Sequence, residues 1–156
     1  MTDKLNKIFT SEMKRVAITL ITLLLPLAMF SQIPGTFIEE CATNAGEDAT
    51  YLKDFPVTLS KVQPNQRPPV ARYPLVLSKN NIYRFSVCNV PGSEGKAIIQ
   101  LYESNKLIYS SYVKDTGEEF NPFNFFCNKT GIYHVFISFL DGQAGEAVGI
   151  LSYVKK

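Results

Sequence analysis

The chain has 156 residues, with sixteen Lys and Arg against fourteen Asp and Glu. Residues 1–31 hold four of those basic and two of those acidic side chains, so without them twelve of each remain. A chain of zero net charge with no basic cluster lacks the phosphate-neutralising surface of a nucleic-acid binder.

The amino-terminal segment reads as a targeting signal. Lys14 and Arg15 precede a predominantly apolar run over 16–30 with a single interior proline, Pro26. The run is short of the roughly 20 residues a bilayer span needs and matches the h-region of a secretory signal. We expect a signal peptide over 1–31, with translation starting at Met1 or Met13, and cleavage after Ser31. The first cysteine past the run, Cys41, follows Glu39 and Glu40, so no lipid attachment is expected there. The roughly 125 residues that remain suit one exported domain around one core, periplasmic or extracellular.

Residues 32–50 are irregular and acidic and are expected to form an extended lead-in, followed by a β domain over 51–156. A strand over 51–60 places Tyr51, Phe55, Val57 and Leu59 on one side, and Pro56 assigns it to a sheet edge. The proline-rich stretch 61–71 reads as a stiff surface loop. Strands over 72–78 and 82–88 flank Lys79-Asn80-Asn81 as a hairpin, and those over 97–103 and 107–113 flank Ser104-Asn105-Lys106 as a second. Residues 120–156 supply three more strands. The middle one, 132–140, alternates Tyr133, Val135, Ile137 and Phe139 onto one face, and Phe85 falls on the apolar face of its own strand. Eight strands, no helix and regular turn spacing predict an all-β, antiparallel two-sheet sandwich of jelly-roll-like form.

Three stretches, Tyr83-Arg-Phe-Ser-Val, Ala97-Ile-Ile-Gln-Leu-Tyr and Phe125-Phe-Cys-Asn-Lys-Thr-Gly-Ile-Tyr-His-Val, carry a resemblance. Over about residues 83–154 the chain resembles the bacterial pre-peptidase C-terminal domain, most strongly at Thr130-Gly-Ile-Tyr133. The resemblance implies a jelly-roll-like sandwich on a secreted bacterial protein, aiding secretion or binding substrate.

The candidate chemistry is sparse. His134, the one histidine, alternates opposite Tyr133 and Val135 and is expected to face outward in a structural or solvent-facing role. It has no Gly-x-Ser-x-Gly nucleophile turn to serve. Cys88 and Cys127 lie within strand patterns rather than at a helix start, where thiolates are stabilised. Carboxylates pair at Glu39-Glu40, Glu47-Asp48 and Glu118-Glu119, while Asp141 and Glu146 flank a glycine-rich turn. That turn offers too few oxygens to hold calcium by itself. Asn128-Lys129-Thr130 fits a glycosylation sequon and more simply makes a turn. Tyr109, Tyr112 and Phe120 are candidates for an exposed aromatic platform, or for filling the sandwich faces.

For the three cysteines, Cys127 shares the inward face with Phe123 and Phe125, whereas Cys88 alternates with Arg84 and Ser86 on the outward one. Cysteines on adjacent strands but opposite faces do not bring their Cβ atoms to the roughly 3.5–4.5 Å that bridging needs. The pairing expected is therefore Cys41–Cys88, closing a loop worth around 4 kcal/mol on the chain-entropy model. Cys127 is left as a buried thiol. No catalytic residue, metal or cofactor is assigned. The expected function is that of an exported non-catalytic binding or accessory module for a protein or carbohydrate. The alternatives are a small hydrolase of glycans or peptides using loop carboxylates, and a structural partner in an envelope complex.

Overall fold

The computed structural model describes residues 33–155. The expected signal peptide, its start at Met1 or Met13 and its cleavage point lie outside the described residues. Among those described, eight strands follow one helix. They are β1 (Ala49–Leu59), β2 (Ala71–Leu77), β3 (Asn81–Asn89), β4 (Ala97–Glu103), β5 (Lys106–Ser110), β6 (Phe123–Cys127), β7 (Gly131–Phe139) and β8 (Gly145–Val154), after α1 (Gly35–Thr43). They form two antiparallel four-stranded sheets, I in the order β1-β8-β3-β6 and II in the order β2-β7-β4-β5.

First pairs with last throughout: β1 with β8, β2 with β7, β3 with β6, β4 with β5. The chain is one long antiparallel ribbon, reversed between β4 and β5 and rolled so that successive pairs fall in alternate sheets. This is a jelly roll.

The period-2 pattern decides which side chains meet between the sheets. Phe55 and Val57 from β1, Phe85 and Val87 from β3, and Leu151 from β8 face Ile99, Leu101, Tyr133, Val135, Ile137 and Phe139. All of β7's inward residues are 3% exposed or less. Burying each such side chain contributes about 1.5–3 kcal/mol.

Three expectations are corrected. First, residues 72–88 are not a hairpin: β2 lies in sheet II and β3 in sheet I. Leu75 and Leu77 face Tyr83, Phe85 and Val87 within one core cluster. The turn at Asn80 (φ 68°) therefore carries the chain across the core instead of back alongside itself. Second, the lead-in is helical over Gly35–Thr43, not extended. Phe37, Ile38, Cys41 and Ala42 form a short apolar stripe that packs on Val148 and Ile150, on the outer face of sheet I. Third, Tyr51 does not point inward with Phe55. A register shift between Tyr51 and Lys53 turns it over, and it is 45% exposed.

Candidate functional site

The two sheets differ in what covers them. Sheet I carries α1 on its outer face, with Val148 and Ile150 buried beneath it. Cys41 and Cys88 form a disulfide with their Cα atoms 6.0 Å apart, and Cys127 is a buried free thiol. Just past the helix, Arg84 forks onto Asp48, Nη1 to Oδ1 at 2.6 Å and Nη2 to Oδ2 at 2.9 Å. Its Nη1 also donates to the Ala45 carbonyl at 2.6 Å. The Arg84 hydrogen bond and charge hold the Asp48 carboxyl below its usual range.

Among the described residues, no helix or strand lies over the outer face of sheet II. Its middle is a rib built from three strands. Phe136 on β7 has the Arg72 guanidinium of β2 5.0 Å from its ring centre. On the other side, Tyr102 of β4 stacks against it at 4.4 Å and 25°. Register places these residues together, because Arg72 and Gln100 flank Phe136 while Pro74 and Tyr102 flank His134. His134 is half-buried, and its buried Nδ1 has no hydrogen-bond partner. Toward one edge of the face, Val76 is 70% and Ile132 63% exposed, and the two residues are paired across the strands.

At the other end the rib runs into a hollow of about 240 Å³. Val70, Ile98 and Leu140 contribute apolar surface, and Gln100, Ser138 and Tyr112 the polar groups. Lys114 and Asp141 meet over its rim at 3.7 Å. Asp141 sits in the left-handed region at φ 54°, which an aspartate tolerates better than most residues.

A second and larger hollow, about 440 Å³, opens at one end of the sandwich, where the β3–β4 and β7–β8 loops meet the end of β1. Thr58, Ser60, Ser93, Glu94 and Glu146 line it. Its walls are braced by Val90 N–H to the Glu146 carbonyl at 2.9 Å and Glu146 N–H to Ser93 Oγ at 3.0 Å.

The other candidate residues are scattered. Tyr109 stacks on Phe123 at 4.6 Å, Lys96 lies 5.5 Å above the Tyr112 ring, and Phe120 is 42% exposed on the β5–β6 connection. Of the three, Tyr112 alone lines one of the two hollows. Glu39 and Glu40 lie on α1, Glu47 and Asp48 precede β1, and Glu118 and Glu119 lie between β5 and β6. Asp141 and Glu146 line different hollows. Among the described residues, no three of His, Cys, Asp and Glu are grouped to hold a metal ion. Searches of protein-family models and of curated proteins give no match to this chain.

Proposed function

We propose that this protein is an exported, non-catalytic binding module, and that it engages its ligand through the outer face of sheet II. The observation carrying the proposal is the asymmetry of the sandwich. One outer face carries a disulfide-tethered helix over Val148 and Ile150, with Phe126 exposed only at its β6 edge, while the other, without such a cover, presents Val76, Ile132 and the Arg72–Phe136–Tyr102 rib. Singly exposed apolar residues are ordinary, but apolar and aromatic groups grouped on one uncovered face mark interaction surfaces. Export is supported by the apolar run after Lys14 and Arg15 and by the Cys41–Cys88 bridge, a bond that persists in oxidising compartments. The resemblance of residues 83–154 to pre-peptidase C-terminal domains agrees with an accessory role.

Docking by a face agrees with the state of the sheet edges. Edge strands β1 and β2 carry Pro56 and Pro74, and edge strands β5 and β6 are five residues each. Short or proline-bearing edges resist the strand addition that an edge-docking envelope partner would use.

The test is retention of the purified protein on envelope glycan and envelope protein fractions, alongside the double variant V76D/I132D. Both positions are well exposed, so the fold should survive the substitutions. We expect the parent to be retained on one fraction and the variant to bind at least about tenfold more weakly. Equal retention of the two proteins would overturn the assignment of the face. A second reading, hydrolysis, is favoured by one observation: Glu94 and Glu146 line the larger hollow. Turnover of a glycan or peptide that is lost in Glu146→Gln would establish that reading instead.

A further inference from the structure

We propose that α1 is a strap released by reduction: a dithiol that opens Cys41–Cys88 lets the helix lift from sheet I while the sandwich stays folded. The chemistry is two-electron thiol–disulfide exchange. The dithiol is oxidised to its own disulfide, and its two electrons and two protons leave Cys41 and Cys88 as thiols.

The strap has little strength of its own. It is nine residues long, and Pro34 at its start provides no side-chain cap. Isolated helices below about 12–15 residues are marginal in water. Its first turn holds no acidic residue and its last no basic one, so the helix dipole is uncompensated. Of its residues only Cys41 is fully buried, and that burial comes with the disulfide.

The surface under the strap is unevenly satisfied. Val148 and Ile150 gain from being covered. On the same face, Ser86 of β3 (6% exposed, paired with Ile150) and Ser152 of β8 (1% exposed) have hydroxyls with no hydrogen-bond partner. Lifting the strap returns water to both hydroxyls, which offsets part of the apolar surface that is lost. The covalent bond is then the decisive tie.

The chain just past the helix is fixed in place. Gly46 has φ 106°, a conformation that L side chains rarely adopt, and a Cβ there would lie 2.8 Å from Arg84 Nη1. The Arg84 fork onto Asp48 and the Ala45 carbonyl holds the chain beyond the helix. Residues 33–44 are therefore free to swing while those from Ala45 on stay pinned. The core between the sheets includes no residue of α1, so it does not depend on the strap.

Hydrogen exchange read by mass spectrometry tests the inference on the oxidised protein, the same protein in excess dithiothreitol, and the C41S/C88S double variant. The amides of Gly35–Thr43 should exchange at least about tenfold faster in the reduced protein and in the variant, while β4 and β7 keep their protection. An apolar dye should brighten in both, and adding Val148→Asp to the double variant should abolish that increase. Unchanged protection of α1 after reduction would overturn the proposal, because packing alone would then hold the helix. Loss of protection in β4 and β7 together with α1 would overturn it too, since the bond would then hold the whole fold. Should C41S/C88S fail to fold from the start, reduction of the folded wild type gives the same readout.

Discussion

At the residue scale, the core is governed by where a side chain cannot fit as much as by those present. Gly95 and Gly149 both occupy positions without room for a methyl, yet their neighbours differ in stiffness. A Cβ on Gly149 would lie 2.7 Å from Ile137 Cδ1 and 3.2 Å from Ile99 Cδ1, the ends of side chains that can rotate away. A Cβ on Gly95 would lie 2.7 Å from the backbone carbonyl of Ala144 and 2.9 Å from Phe139 Cβ, neither of which can yield without moving a strand. Gly95 also donates its N–H to that same carbonyl at 2.8 Å. Gly95→Ala should therefore cost about 1–3 kcal/mol and Gly149→Ala less, read as the difference in urea midpoints. A larger loss for Gly149→Ala would mean that the side chains are less able to adjust than the backbone. Tyr133 sets a second expectation. Burial first, and then its contact with Cys127, push its hydroxyl from 10.0 up to about 12. The folded state thus keeps this proton where the unfolded chain has released it. The resulting stability is fully present below pH 10.0 and is lost as pH rises through about 12. Melting temperature should fall less steeply across that window in Tyr133→Phe than in the parent.

At the scale of elements, strands were readable and partnerships were not. Period-2 alternation located β3, β4 and β7 within a residue or two, because each buries one face and the pattern is local. Helix α1 leaves little trace in the sequence because its stripe is only Phe37, Ile38, Cys41 and Ala42, too brief to stand out and stabilised by what it rests on. The alternation of β1 misplaces Tyr51 because one extra residue in the strand reverses every side chain before it, and no sequence pattern marks that bulge. The Lys79-Asn80-Asn81 turn looks the same whether it joins neighbours in a sheet or carries the chain across a sandwich. The candidate face was illegible for a related reason. Arg72, Tyr102 and Phe136 are each merely outward-pointing, and they become a rib only because β7 lies between β2 and β4. Alternation alone places His134 outward, but its neighbours Pro74 and Tyr102 come from strands far away in sequence.

At the scale of the whole molecule, the rolled-ribbon topology imposes an order on folding. The β4–β5 pair is closed by a two-residue turn, Ser104-Asn105, with Ser104 in the left-handed region at φ 54°. Every other pair that builds the ribbon encloses the one inside it. β3–β6 joins Phe85 to Phe123, β2–β7 joins Ala71 to Ile137, and β1–β8 joins Ala49 to Val154. Closing the outer pairs first would cost the most loop entropy, whereas closing them after the inner ones leaves only short segments to fix at each step. We therefore expect the transition state to contain β4–β5 and its contact with β7, with β1 and β8 joining late. Leu101→Ala removes a fully buried side chain from β4 and should mainly slow folding. Val57→Ala does the same in β1 and should mainly speed unfolding. Ser104→Gly relieves the left-handed turn and should accelerate folding with little effect on the unfolding rate. Stopped-flow refolding and unfolding in urea, with Cys41–Cys88 intact, measures all three. That bridge closes a loop containing β1 and β2 but not β4, β5 or β7, so Val57→Ala is read with β1 already tethered to β3, the condition most favourable to early closure of β1. If Val57→Ala slowed folding as much as Leu101→Ala, the ribbon would not close from its turn outward, and the first contact would lie between chain ends.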